Sequence, residues 1–149
     1  MTKKLLTEWL PLIVDKKTLN ENKGEDGTIT LRGVIQRANT LNQNGRVYPM
    51  DILTREIDNY QKLIRENRAL GECDHPESSV VELKNVSHVV REAHMEGEDV
   101  HGTIELLNTP SGKILQSLIE SGITVGISSR GVGSTRSRGG NDEVQEDFQ

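Results

Sequence analysis

Residues 86–106 place the tightest constraint on what this chain can become. Val86 to Ala93 and Val100 to Leu106 are two strand-like runs, and Glu96-Gly97-Glu98-Asp99 between them reads as a turn. A hairpin commits the chain to antiparallel pairing. Upstream, Thr28 to Ile35 alternates, with Ile29, Leu31 and Ile35 on one face and Thr28, Thr30 and Arg32 on the other. Asn39 to Arg46 is dense in turn formers, Asn44-Gly45 above all. After Pro49, apolar residues at Ile52, Leu53, Ile57, Tyr60, Leu63 and Ile64 recur at helical spacing, predicting a helix that ends before Gly71.

Downstream of the hairpin, Asn108-Thr-Pro-Ser-Gly112 opens a second helix, with Asn108 or Thr109 as N-cap and Pro110 in the first turn. Ile114, Leu115, Leu118 and Ile119 are its expected buried stripe, and Gly122 its left-handed cap. Ile123 to Ile127 reads as a buried strand that delivers Ser128 and Ser129 at its end. Strand, helix, hairpin, helix, strand is an α+β order. It predicts a mixed α+β domain built around an antiparallel sheet or small barrel rather than a parallel α/β fold.

The chain has 149 residues, enough for one domain with a real core. Its hydrophobic fraction is 33%, so part of it is expected to pack poorly, and the two polar ends are the natural place. Residues 1–27 read as a flexible or detachable segment, 28–130 as the domain proper, and 131–149 as a polar tail. A net charge of −5 and only four aromatic side chains (Trp9, Tyr48, Tyr60, Phe148) argue against nucleic acid as a partner. The one cysteine, Cys73, excludes an internal disulfide and fits a reducing compartment. No stretch has the length of a membrane span.

Chemistry concentrates in two places. Gly126-Ile-Ser-Ser-Arg-Gly131 sets two hydroxyls beside small residues that leave main-chain N–H donors accessible, a way to present a nucleophile. It lacks the Gly-x-Ser-x-Gly spacing of a nucleophile elbow. Gly71-Glu-Cys-Asp-His-Pro76 carries His75 beside a carboxylate and a proline, a histidine suited to act as base. Blander accounts stand beside both: a serine pair often only starts a turn, and a lone histidine in a loop is usually structural. Cys73, His75, His88, His94 and His101 match no recognised zinc spacing, and His88 and His94 are expected to share a solvent face. Cys73 as a thiol nucleophile would share a strand face with His75. Gly131-Val-Gly-Ser-Thr135 with Arg136 and Arg138 hints at a phosphate cradle but lacks the P-loop lysine.

Four segments in order carry a resemblance: Asn42-Gln-Asn-Gly-Arg-Val-Tyr-Pro49, Gly71-Glu-Cys-Asp-His-Pro76, Leu106-Leu-Asn-Thr-Pro-Ser-Gly112 and Gly126-Ile-Ser-Ser-Arg-Gly-Val-Gly133. Together they resemble the prohead core protein serine proteases of tailed bacteriophages, which digest the internal scaffold as the capsid matures. The resemblance implies a fold like the herpesvirus assemblins, an antiparallel β-barrel-like sheet with surrounding helices, and a His/Ser pair, His75 with Ser129 or Ser128. Ser129-Arg130-Gly131 matches the family's Ser-x-Gly and favours Ser129. Arg130 and Gly131 are then candidates to shape an oxyanion hole. No metal or cofactor is implied.

The implied substrates are phage scaffold, core and capsid proteins, cut after glutamate inside the assembling prohead in the host cytoplasm, with no nucleic acid or membrane partner and with room for a homo-oligomer. Leu6-Thr-Glu8, Leu19-Asn-Glu21 and Leu118-Ile-Glu120 are matching tripeptides within the chain, which suggests self-processing. The family's third catalytic residue has no evident counterpart. Asp142, Glu143, Glu146 and Asp147 lie in the polar tail, His88 is a weaker substitute, and residues 131–149 read as the start of a truncated C-terminal part. The rival readings are a non-catalytic assembly or scaffold protein of the same fold and a metal-dependent hydrolase.

Overall fold

The computed structural model describes residues 2–12, 23–25, 27–73 and 80–149. In chain order the elements are β1 (Lys4–Leu12), β2 (Ile29–Arg37), β3 (Arg46–Val47), α1 (Met50–Arg65), β4 (Leu70–Glu72), a 3-10 turn (Leu83–Asn85), β5 (Val86–Glu96), β6 (Asp99–Leu106), α2 (Pro110–Glu120), β7 (Val125–Gly133), β8 (Thr135–Arg138) and β9 (Asn141–Val144). The expected mixed, mostly antiparallel order is what forms. The strands make three sheets among the described residues, β1-β7, β2-β6-β5-β4 and β3-β9-β8, and no closed barrel.

The hairpin is where the sequence places it. β5 and β6 close on the Glu96–Asp99 pair, and Gly97 takes φ +60° at the first central position, as a two-residue turn matched to strand twist requires. α1 covers the apolar spacing read from the sequence, with Ile52 and Leu53 buried and Ile57, Tyr60, Leu63 and Ile64 packed against the core. Thr109 caps α2, its hydroxyl accepting from Gly112 N–H at 3.0 Å, and Gly122 ends the helix at φ +80°. The stripe on α2 is narrower than expected. Ile119 is fully buried, whereas Ile114 and Leu118 are 55% and 40% exposed, because the helix lies on the sheet by one edge only.

Both ends depart from the expectation of poor order. Within the segment read as flexible, residues 4–12 form β1, with Leu6 fully buried in the core. Residues 13–22, which include Leu19-Asn-Glu21, lie outside the described residues. The polar tail finishes β7 and builds β8 and β9, and it sends Val144 (fully buried) and Phe148 into the same core. Phe148 meets Tyr48 edge to face at 5.1 Å, a contact worth about 0.5–1.5 kcal/mol beyond its burial. Two side chains spaced too far apart to show a period are enough to anchor this end.

Two β-bulges reset which residues face inward. One lies between Val34 and Gln36 in β2, the other between Val90 and Glu92 in β5. An extra residue in one strand reverses the alternation beyond it. Gln36 is therefore turned in and buried. For the same reason His88 and His94 do not share a face: His88 is largely enclosed, whereas His94 lies on the exposed face. There it stacks on His101 of the partner strand at 5.9 Å, flanked by Glu92 and Glu96.

Candidate active site on the serine strand

Ser128 and Ser129 sit in the middle of β7, not at the end of a strand. The strand begins at Val125, leaving Ile123 half exposed, and runs through to Gly133. β1 pairs with it along its whole length, from Lys4↔Gly133 to Leu12↔Val125, without a break in register. Consecutive residues of a strand face opposite ways, so the two serines, though both line one cavity, meet different immediate neighbours.

Ser129 lies opposite Glu8 of β1, and its hydroxyl accepts from Gln36 Nε2 at 3.2 Å. On this side the surroundings are structural. The Glu8 carboxylate is buried and accepts from Asn42 Nδ2 (2.9 Å), Asn44 Nδ2 (2.8 Å), Arg46 Nε (2.9 Å) and the Tyr48 hydroxyl. The Asn-Gly-Arg-Val-Tyr segment thus folds around a carboxylate from the first strand. Burial, reinforced by the hydrogen bond to Glu8, pushes the Tyr48 hydroxyl far above its ordinary range and keeps it a donor.

Ser128 lies opposite Trp9, and its hydroxyl is buried with no hydrogen-bond partner among the described residues. Arg130, two positions on, shares that face. Its guanidinium bonds Glu72 of β4 at 2.5 Å. Glu72 is almost fully enclosed. Burial alone would raise its pKa, but hydrogen bonds from Arg130 and Asn85 outweigh this and hold the carboxyl below its usual range. The ion pair ties the end of β4 to the serine strand. Cys73 follows, its N–H donating to Asn85 O at 2.9 Å. His75 is two residues further on and lies in 74–79, outside the described residues.

His88 borders the same region from β5. Its Nδ1 is 2.8 Å from Ser87 Oγ, and its ring lies flat against Gly71 of β4, where a β-carbon would come within 2.0 Å of Nε2. Burial lowers its pKa and keeps the ring neutral. Protonation is therefore easier in the unfolded chain, which binds the extra proton below about pH 6.5. Stability should fall as pH drops from 7 through 6, and His88→Asn should remove that part of the slope in urea titrations at several pH values. An identical slope in the variant would assign it elsewhere.

Arg130 and Gly131, the expected oxyanion-hole residues, occupy different positions. Gly131 packs under Phe148, and a β-carbon there would lie 2.4 Å from the ring and 2.7 Å from Gln149 O. Gly131→Ala should therefore cost about 1–3 kcal/mol by overpacking, read as a lower urea midpoint, whereas a change below 0.5 kcal/mol would show that Phe148 moves aside freely. The acids of the tail are elsewhere: Glu143 pairs with Arg138, and Asp147 accepts from Ser134 N–H. None of the four lines the serine cavity.

That cavity, about 740 Å³, brings together Ser128, Ser129, Arg130, Glu72, Cys73 and His88. The described residues include no grouping of three or more His, Cys, Asp or Glu that could hold a metal ion. They include no helix long and apolar enough to cross a membrane. Gln36, Glu72 and Glu8 are the neighbours of the serines that the sequence did not mark. Of these only Glu72 had a signal, its place next to Cys73 in the histidine segment.

Comparison with known proteins identifies the family. The family model described as prohead core protein serine protease matches residues 5–149. The prohead core protein protease of Enterobacteria phage T4 is 30% identical over 107 residues, covering 70% of this chain and 50% of that protein. The chain thus spans about half the length of that curated relative. The solved structure of the bacteriophage T4 capsid assembly protease, gp21, superposes with a TM-score of 0.87 at 24% identity, covering 100% of this chain and 93% of that one. The last likeness is one of fold.

Proposed function

Since this chain belongs to the prohead core protein serine protease family, we propose that it is a serine endopeptidase in which Ser128 is the nucleophile and His75 its general base. The observation that carries the choice of serine is the buried Ser128 hydroxyl, which has no partner among the described residues. A buried hydroxyl left unsatisfied costs about 1–3 kcal/mol, and such a cost is usual where a group is kept available for chemistry. Ser128 also shares its face with Arg130, whose ion pair with Glu72 holds the end of β4, and His75 follows three residues after Glu72 in the sequence. Ser129 already has a structural bond, to Gln36. This reverses the preference that the Ser-x-Gly match gave.

In this mechanism His75 takes the proton from Ser128 Oγ as the oxygen attacks the scissile carbonyl carbon. The tetrahedral oxyanion is met by main-chain N–H groups that face away from β1, that of Ser128 first. His75 then returns its proton to the leaving amine, and water, deprotonated by the same histidine, releases the acyl group. His88, neutral, next to β4 and lining the serine cavity, is a candidate to orient His75. The substrates are core and capsid proteins of an assembling phage head, cut after glutamate, and the assemblin likeness of the fold belongs to the same reading.

Self-processing fits it unevenly. The bond after Glu8 lies inside β1 with its carboxylate buried, so the folded chain should resist cleavage there, whereas Glu21 lies outside any described element. His75→Ala tests the base: kcat on a Leu-Asn-Glu peptide should fall by about 10²–10⁴-fold with folding intact. An unchanged kcat would remove His75 from the mechanism.

A further inference from the structure

The chain has one tryptophan, and it stands beside Ser128. Trp9 of β1 is paired with Ser128 of β7. Partners across an antiparallel pair put their side chains on one face, with β-carbons about 4.5–5.5 Å apart. Gly126 and Arg130, two positions to either side of Ser128, belong to that face as well. The indole lies over Gly126. A β-carbon there would come 2.0 Å from Nε1 and 2.2 Å from Cε2 of Trp9, far inside van der Waals contact. Gly126 does not have the positive φ that calls for glycine, so its missing side chain serves to make room for the ring.

Three neighbours therefore follow one another on this face of β7: the indole over Gly126, the Ser128 hydroxyl with no partner among the described residues, and Arg130 bound to Glu72. Tryptophan is among the largest side chains and is highly buried on average. Trp9 nevertheless remains 40% exposed, and it lines the serine cavity together with Leu115 and Leu118 of α2 and Val125 of β7. An apolar wall stands uncovered on one side of the buried hydroxyl, and the ion pair stands on the other.

We propose that the Trp9 indole is the wall of a subsite that receives an aliphatic side chain of the peptide substrate, and that it sets specificity without taking part in bond making. The reach fits this role. Gly126 and Ser128 are two residues apart on one strand, about 7 Å, so a side chain resting on the indole belongs to a residue close to the carbonyl under attack. The ring is held in place by the pairing of β1 with β7 and by the space at Gly126, so the wall exists before the peptide arrives. That its occupant is substrate rests on the serine-endopeptidase reading; the position of the indole does not.

The probe is an unlabelled ten-residue peptide with the sequence of residues 17–26, which contains Leu19-Asn-Glu21 and no tryptophan, so all indole emission comes from Trp9. On the full-length Ser128→Ala chain, the peptide should shift Trp9 emission to the blue and shield it from acrylamide. Replacing the peptide's leucine by alanine should weaken binding by about tenfold or more, the scale of a few methylenes in an apolar pocket. With the serine present, kcat/KM should favour the leucine peptide by a similar ratio. Trp9→Ala should bring that ratio close to one. Gly126→Ala, which keeps the ring but takes its seat, should do the same. A loss of stability alone lowers both rates equally and leaves the ratio unchanged. Binding with no change in emission, an unchanged ratio in both variants, or no binding would overturn the subsite. So would a blue shift on raising the protein concentration without peptide, which would put a second copy of the chain on the indole. Cleavage with the ratio unaltered in both variants leaves the serine reading standing and removes the subsite. A leucine-dependent shift in emission without cleavage by the unaltered chain does the reverse.

Discussion

Ser128→Ala should abolish peptide cleavage, with kcat at least about 10³-fold lower, because loss of a covalent nucleophile leaves only binding and oxyanion stabilisation. Ser129→Ala should retain activity within about tenfold, because its bond to Gln36 positions the strand and takes no part in bond making. The contrast is demanding because the two residues are adjacent and chemically identical. Only the face of β7 separates them. The unfolding midpoints should rank the other way. Ser129→Ala leaves Gln36 Nε2 without its acceptor inside the protein, whereas Ser128→Ala removes a hydroxyl with no partner among the described residues and should be neutral or mildly stabilising. Equal loss of activity in both variants would mean that the strand, rather than one hydroxyl, is what cleavage needs.

The second large effect is expected far from any bond making, at Glu8. An exposed ion pair contributes about 0–1 kcal/mol, but removing one partner of a buried pair costs about 3–5 kcal/mol because the other charge is left uncompensated. Glu8 is 3% exposed and the Arg46 side chain 16%, so the second case applies. Asn42, Asn44 and Tyr48 would lose their acceptor as well. Glu8→Ala should therefore lower the unfolding free energy by about 3 kcal/mol or more in urea titration. Glu8→Gln, which keeps an acceptor oxygen, should lose less. Because Glu8 fastens β1 to the loop of residues 42–48 and β1 in turn borders the serine strand, the variant should also lose activity in proportion to the unfolded fraction. A loss below 1 kcal/mol would mean that the network rearranges around the missing carboxylate.

How much of this was legible in the sequence depended on whether a residue's role matched its local pattern. The hairpin, α1, the Thr109 cap and the Gly122 stop were readable because spacing and turn chemistry act over a few residues. β1 was not. Pro11 interrupts the run, and Glu8, a charge at a buried position, reads as a break in alternation when it is the element's anchor. The β8–β9 pair left a signal that went unread: Gly139-Gly140, both at positive φ (59° and 87°), is a hairpin dipeptide. Phe148 and Val144 show no period, so their burial is fixed by tertiary contact alone. The bulges in β2 and β5 carry no local mark, and each moves a functional neighbour, Gln36 and His88, to an unexpected face. The serines themselves were found by motif, but their division into one hydroxyl bonded to Gln36 and one with no partner among the described residues follows from the pairing of β7 with β1, which no local pattern encodes.

The central claim, that the Ser128 hydroxyl is the nucleophile, is tested most directly by trapping it. A fluorophosphonate added to the folded, cleaving protein should leave one covalent adduct, which peptide mass mapping places on Ser128, and His75→Ala should prevent its formation. An adduct on Ser129, or full cleavage activity with neither serine labelled, would contradict the account.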